Sequence, residues 1–321
     1  MNLWLSVTVS ILTLTGSIQP TPCPRNQPVI AYHEQDRSFY LFGGYCSESK
    51  TRLNDLWKFD GQHWQLIEQD HSPEPRSGHT MIYDPTHRRL LLFGGKNDQG
   101  LLLNDLWEWK NGSWHLITES GPPARQSHRL VVNSSTGDLL LFGGSDVNRQ
   151  AFGDTWIFNG ETWLEKTDKA GPPARLQHTM TYDNTRAKVV LFGGFNRIGT
   201  EKIVLGDTWE WDHINGWVLA SMNDHLARDH HAMTYDPNLK LTILFGGYHE
   251  GYLGDTWGWD GSNWRPLSQA IESGLTRRAG KPGLTYNTHI HRITLFGGWD
   301  HTNQPLMDWW YLDENEWKSL E

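Results

Sequence analysis

The tripeptide Phe-Gly-Gly occurs six times in 321 residues, beginning at Phe42, Phe93, Phe142, Phe192, Phe245 and Phe296. By subtraction, successive copies start 51, 49, 50, 53 and 51 residues apart, and only the N-terminus falls outside that beat. A period near 50 residues is too long for a helical-hairpin solenoid and long enough for a unit of four short strands.

The surroundings of the tripeptide repeat as well. Before it come Arg, then His, then an alternating apolar run ending in Tyr: Arg76, His79, Met81 and Tyr83; Arg125 and His128; Arg175, His178, Met180 and Tyr182; Arg228, His231, Met233 and Tyr235. After it stand Asp and Trp two apart, from Asp55 and Trp57 through Asp308 and Trp310. A second Trp closes each unit: Trp64, Trp114, Trp163, Trp217, Trp264 and Trp317. The alternation has the period of a strand, and no stretch of ten residues has a helical period. Asn111-Gly112, Asn159-Gly160 and Asp260-Gly261 mark tight hairpin turns before the last strand.

Each unit thus reads as four strands. The first ends at Tyr, the second runs into Gly-Gly, the third carries Asp and Trp, and the fourth holds the second Trp. Repeated radially, such units make an all-β, six-bladed β-propeller of four-stranded antiparallel blades. One domain is expected over residues 24–321, with blades near 24–74, 75–123, 124–173, 174–226, 227–276 and 277–321. The glycine pair permits positive φ and close backbone approach where a Cβ would intrude. The tryptophans are plates for the wedges between blades, each able to bury ~150–250 Å².

With Gly-Gly after the second strand and Trp after the last turn in six copies, the chain resembles the kelch-repeat propellers over roughly residues 24 to 321. The resemblance implies the fold and leaves function open, since kelch propellers include oxidases, sugar mutarotases, adaptors and binding proteins. The copper oxidases of this type require a Cys cross-linked to Tyr, and both cysteines here stand in the first unit, so no cofactor is expected. A sialic-acid mutarotase-like protein, also an exported six-bladed kelch ring, is the enzyme alternative; Glu201, Glu250, His249 and Arg197 would supply its acid/base groups. Many kelch rings complete one blade with strands from both termini. Here Arg25 aligns with Arg76 and Tyr32 with Tyr83, while the sixth unit ends with its own fourth strand at Trp317. That phase predicts a seam of plain blade packing.

Lys plus Arg number 28 against 37 for Asp plus Glu, a net charge of −9, which argues against nucleic acid or an anionic membrane as partner. Residues 1–24 have no charged side chain, Leu3 to Leu14 is rich in Leu, Val and Ile, and Thr15-Gly16-Ser17 is small. This pattern predicts a signal peptide over residues 1–17 and a secreted, periplasmic or extracellular protein. The apolar run is too short and too hydroxylated to cross a membrane well, so no membrane insertion is expected after its removal. Pairing about a turn near Gln35 and Asp36 sets residue 23 opposite about residue 48, within reach of Cys46. A Cys23–Cys46 disulfide is expected, with two separate thiols as the alternative.

Strand direction puts the loops between second and third strands on one end of the ring, with the connections between blades. These loops differ from blade to blade, as binding loops on a scaffold do. The sequons at Asn111 and Asn133 fall in turns of the other end. The repeat supplies an internal control: residues common to all units serve the frame, and singular ones serve a ligand. By that control the Asp, Trp and Gly-Gly positions are structural, and Arg–Asp ion pairs are expected on the loop end. His79, His128, His178 and His231 are spread over four blades, too far apart to share one ion, so no metal is expected. The singular set follows Gly-Gly: Tyr45; Asn97 and Asp98; Asp146; Phe195 and Arg197; Tyr248, His249 and Glu250; Trp299, Asp300 and His301. Aromatic plates beside carboxylates, amides and Arg suit a sugar or a peptide, although the same rings would also pack blade tops. Arg76, Arg125, Arg175 and Arg228 are expected to line the mouth and draw an acidic ligand. The expected function is a secreted, non-catalytic binding propeller for a carbohydrate or extended peptide, with the mutarotase-like enzyme or a structural module of a surface assembly as alternatives.

Overall fold

The computed structural model describes residues 20–167, 170–269, 275, 277–279 and 282–320; the expected signal peptide lies outside them. Six antiparallel sheets, each of four strand positions, account for nearly all of the regular structure, and one 3-10 turn over Asp224–Leu226 is the helical exception among the described residues. Blade 2 is representative: Thr80–Asp84, Arg89–Asn97, Leu102–Lys110 and Ser113–Thr118 pair in that order. The first strands of the blades are Val29–His33, Thr80–Asp84, Arg129–Val132, Thr179–Asp183, Ala232–Asp236 and Gly283–Asn287. They neighbour one another in sequence order around the axis, blade 6 against blade 1 included. The ring is closed without a shared strand, since blade 6 pairs its own Glu316–Ser319 with Pro305–Asp313. The expected fold and plain-packed seam are what the structure contains.

One rivet recurs inside every blade. Arg25, Arg76, Arg125, Arg175, Arg228 and Arg278 each grip an Asp of the third strand (Asp55, Asp105, Asp154, Asp207, Asp255 and Asp308) at 2.6–2.8 Å. The same guanidinium donates from Nη1 to the carbonyl of the first glycine, for example Arg175 to Gly193 at 3.0 Å. The Asp also accepts the indole N–H two residues on, as Asp207 does from Trp209 at 2.7 Å. One planar fork thus ties three strands of a sheet, and the buried guanidinium has its charge satisfied. Arg278, one residue off register in sequence, reaches the same partners, Asp308 and Gly297.

Blades join through aromatic wedges. The second-strand Phe meets the fourth-strand Trp of the next blade in all six joints at centroid separations of 5.0–5.6 Å, Phe296 to Trp64 across the seam included. His79, His128, His178 and His231 are buried edge-on against the Phe of the preceding blade, each in a separate joint. They are structural residues. Both glycines of the pair have positive φ, 63° and 107° at Gly246 and Gly247. A Cβ on Gly246 would stand 2.5 Å from the Arg278 carbonyl, so only glycine lets the next blade this close.

Two expectations need correction. Cys23 and Cys46 are free thiols, not a disulfide. The register is the expected one, Arg25 across from Cys46 and so residue 23 level with residue 48, but Cys23 lies two residues before the paired Arg25, whose Nη2 approaches its sulfur at 3.5 Å. Burial and a hydrogen bond with Cys46 push the Cys23 thiol up to about 11. The second correction concerns the strand pairing. It does not stop at Gly-Gly but resumes past a bulge there, so that in blade 1 Tyr45 faces Arg52 and Cys46 faces Thr51.

Candidate functional site

The bulge at Gly-Gly turns the loops of blades 1, 2, 5 and 6 into stiff hairpin extensions. In blade 4 the loop forms its own hairpin, Phe195–Ile198 against Glu201–Val204. These hairpins rise around the axis and frame a mouth of about 650 Å³ on the loop end. Tyr45, Tyr248 and Trp299, three of the singular aromatics, line it together with Tyr252. Tyr248 is 39% exposed and meets Tyr252 edge to face.

Charge at the mouth comes from residues that the position after Gly-Gly does not identify. Lys202 extends from the blade 4 hairpin across the Phe195 ring, 4.6 Å from its centroid, and within 5.5 Å of the Tyr248 ring. Its ammonium ends on the carboxylate of Asp229, which also receives His230 Nδ1. Burial opposes the Asp229 charge, yet His230 and the Lys202 ammonium hold its carboxyl below the usual range. Arg52 lies over Tyr45 at 5.8 Å and donates from Nε to Ser77 at 3.0 Å.

Asp229 and His230 follow a rule that the sequence does contain. The first residue after each Arg pairs across the sheet with the residue after Gly-Gly: Asn26 with Tyr45, Ser77 with Lys96, Gln126 with Ser145, Leu176 with Phe195, Asp229 with Tyr248 and Ala279 with Trp299. The second residue after Arg turns into the left-handed region at Gln27, Ser127, Gln177 and His230, with φ of 50°, 60°, 58° and 56°. Non-glycine residues seldom stay there without support. Here the support is a backbone collar: Ser127 N–H donates to Gly78 O, Gln177 N–H to Ser127 O, and His230 N–H to Gln177 O, at 2.8, 3.3 and 3.2 Å. Positions between the repeated Arg and His were therefore a second singular register, visible beforehand to the same internal control.

The remaining expected site residues are placed elsewhere. Arg76, Arg125, Arg175 and Arg228 are at most 2% exposed and already bound to carboxylates, so they do not line the mouth or draw a ligand. Asn97, Asp146 and Asp300 are spent on their own loops: Asn97 Oδ1 accepts from Leu101 N, Asp146 Oδ1 from Gln150 N, and Asp300 Oδ1 from Thr302 N and Gln304 N. Asp98 clips blade 2 to blade 1 by accepting from the Arg52 amide at 2.8 Å. Phe195 is buried as the base on which Lys202 rests. His301 stands exposed on its loop. Arg197 lies over the outer side of Phe195 at 5.7 Å, and Glu201 and Glu250 are exposed. None of Arg197, Glu201, His249 and Glu250 lines the mouth, so the four groups suggested for acid/base work are not brought together there. At the opposite end, Asn111 is exposed, whereas Asn133 is buried with its Oδ1 accepting from Ser135 N.

Comparison with known proteins now bears on the fold. Residues 4–121 and 90–225 match the family described as the KLHDC2/KLHL20/DRC7 Kelch-repeats domain. A search of the curated proteins finds no match. Among solved structures, the one titled "Structure of YjhT" superposes with a TM-score of 0.70 at 16% identity, over 94% of this chain and 99% of that one. At that identity the likeness is one of fold. No helix among the described residues is long and apolar enough to cross a membrane.

Proposed function

The chain belongs to the KLHDC2/KLHL20/DRC7 kelch-repeats family, and we propose that it is a non-catalytic binding propeller whose axial mouth on the loop end takes a carbohydrate or an extended peptide segment. The observation that carries this reading is the convergence of Tyr45, Tyr248, Tyr252 and Trp299 on one opening that also holds Arg52, Lys202, Asp229 and His230. Flat rings offer area at little entropic cost, and the charged groups fix orientation through hydrogen bonds. The rings come from blades 1, 5 and 6 on short hairpins, so the surface is preorganised. The scattering of Glu201, Glu250, His249 and Arg197 favours binding over the mutarotase-like alternative.

The uncharged segment 1–24 supports export and a ligand met outside the cytoplasm; the free thiols lend that placement no help. The test uses protein recovered from culture medium, its N-terminus sequenced for a start after residue 17, on glycan and extended-peptide arrays. A hit is expected to weaken at least tenfold, about 1.4 kcal/mol, in Trp299→Ala, with the melting temperature unchanged. Silence on both arrays, or a hit indifferent to Trp299→Ala and Tyr248→Ala alike, would sink the reading.

A further inference from the structure

Beneath the mouth the six first strands enclose an axial cavity of about 410 Å³, which shares Gln27 and Trp299 with the mouth above. Its wall has one layer formed by the first residue after the repeated His or Pro. That layer reads Val29, Thr80, Arg129, Thr179, Ala232 and Gly283, all of them lining residues. Five are uncharged. Blade 3 alone sets a guanidinium there.

The six fully buried arginines of the rivets each hold a carboxylate, whereas Arg129 makes one hydrogen bond, from Nε to the His178 carbonyl at 2.9 Å, and no ion pair among the described residues. Arg129 also acts on buried His231, whose ring burial first, then Arg228 and Arg129, keep neutral, so that group brings no negative charge. The Arg129 side chain is partly buried and open to the cavity, and burial lowers it to about 10 with nothing opposing the shift. An unpaired cation facing a cavity is costly unless something fills the cavity with the opposite charge.

We propose that the axial cavity holds a small monovalent oxyanion, a carboxylate of acetate size, on Nη1 and Nη2 of Arg129. The planar fork matches the two oxygens of a carboxylate. A single negative charge neutralises the Arg129 guanidinium, which Glu34, the one carboxylate lining the cavity, does not pair with, while a dianion would leave an excess charge beside it. This site lies below the collar and does not depend on the reading given for the mouth.

Thermal unfolding with added sodium acetate, against sodium chloride at matched ionic strength, tests the assignment. The wild type is expected to show a saturable rise in melting temperature with acetate and none with chloride, because an anion that binds only the folded state stabilises it by mass action. Arg129→Met is expected to lose that response and to melt no lower than wild type in acetate-free buffer. Tyr248→Ala, altered only at the mouth, is expected to keep it. Equal responses to the two salts, a response surviving in Arg129→Met, or a lower melting point of that variant without acetate would each overturn the proposal. Loss of the response in Tyr248→Ala would also overturn it, by moving the carboxylate to a larger ligand's seat in the mouth. Should Arg129→Met fail to fold, Arg129→Lys decides: at least tenfold weaker acetate affinity supports the site, and unchanged affinity removes it.

Discussion

The joint that closes the ring is built differently from the joints inside it. Within the ring, Gly95, Gly144, Gly194 and Gly247 each donate an N–H to the carbonyl of the next blade's Arg (Arg125, Arg175, Arg228 and Arg278) at 2.9 Å. Trp217, Trp264 and Trp317 add indole hydrogen bonds to Thr155, Thr208 and Thr256 of the preceding blade at 2.8–2.9 Å. At the seam Trp309 takes the place of that threonine. It stacks on Phe59 at 4.6 Å and 11°, and touches Phe39, Phe296 and Trp64. A Cβ on Gly297 would meet no atom of blade 1 within 4 Å. The inner joints are directional and the seam is a slab of aromatic area. Directional contacts fix the angle between neighbours, while apolar area tolerates whatever angle six blades leave over.

The rivets test how far that looseness spreads. The Asp207 side chain, in mid-ring, is 6% exposed, and that of Asp308, in the closing blade, is 38% exposed. Asp207→Ala strands a buried guanidinium, and the expected loss is about 3–5 kcal/mol. Asp308→Ala lets water reach Arg278, so about 1–2 kcal/mol is expected. Urea unfolding of the two variants measures both. Equal losses would mean that the closing blade is as tightly sealed as the rest.

The same contrast explains what the sequence disclosed. The repeated frame was readable, because a contact made six times leaves six copies: the Arg–Asp pairs, the glycines and the tryptophan wedges were expected, though not the Phe that each fourth-strand Trp meets. The seam chemistry occurs once. Its signal was Trp309 standing where other units have Thr or Leu, and nothing repeats to show what it touches. The mouth was half legible. Tyr45, Tyr248 and Trp299 stand out after a fixed landmark, but Lys202 arrives from a loop with no fixed register, and Asp229 and His230 hide between two conserved-looking frame positions. Asn97, Asp146 and Asp300 misled for a local reason. Asx side chains close tight loops by accepting the loop's own amides, and this competes with any ligand. Arg76 and its equivalents misled because the strand opening lies inside the sheet stack rather than on its rim.

Glycine replacement sharpens the difference between joints. Gly246 and Gly297 have nearly equal φ, 63° and 64°, so a side chain costs each about 1–2 kcal/mol from backbone strain alone. Only at Gly246 does the new Cβ also meet the neighbouring blade, 2.5 Å from the Arg278 carbonyl. Gly246→Ala is expected to lose about 3 kcal/mol and Gly297→Ala about half that, read from denaturant midpoints at constant slope. Equal losses would show that the close backbone approach contributes nothing at the inner joints.

Acid should separate the joints most gently. His231 is buried between blades 4 and 5, against Phe192 and with Nε2 at 2.6 Å from Thr179 Oγ1. Burial first, then Arg228, Arg129 and His230, lower its pKa well below the ordinary value. The unfolded chain therefore takes up the proton that the folded chain refuses. Stability from this residue is complete above about pH 6.5 and falls as pH drops below it, by at most about 1.4 kcal/mol per unit. His231→Gln should flatten that slope between pH 6.5 and 5.5 whatever its own baseline stability. The seam has Pro28 at the matching position, with nothing to protonate there. Hydrogen exchange at pH 5.5 against pH 7 is accordingly expected to quicken around Phe192 and His231 and to leave Phe59 and Trp309 unchanged. Uniform quickening around the ring would mean that its joints open together, and the seam would then be no separate unit.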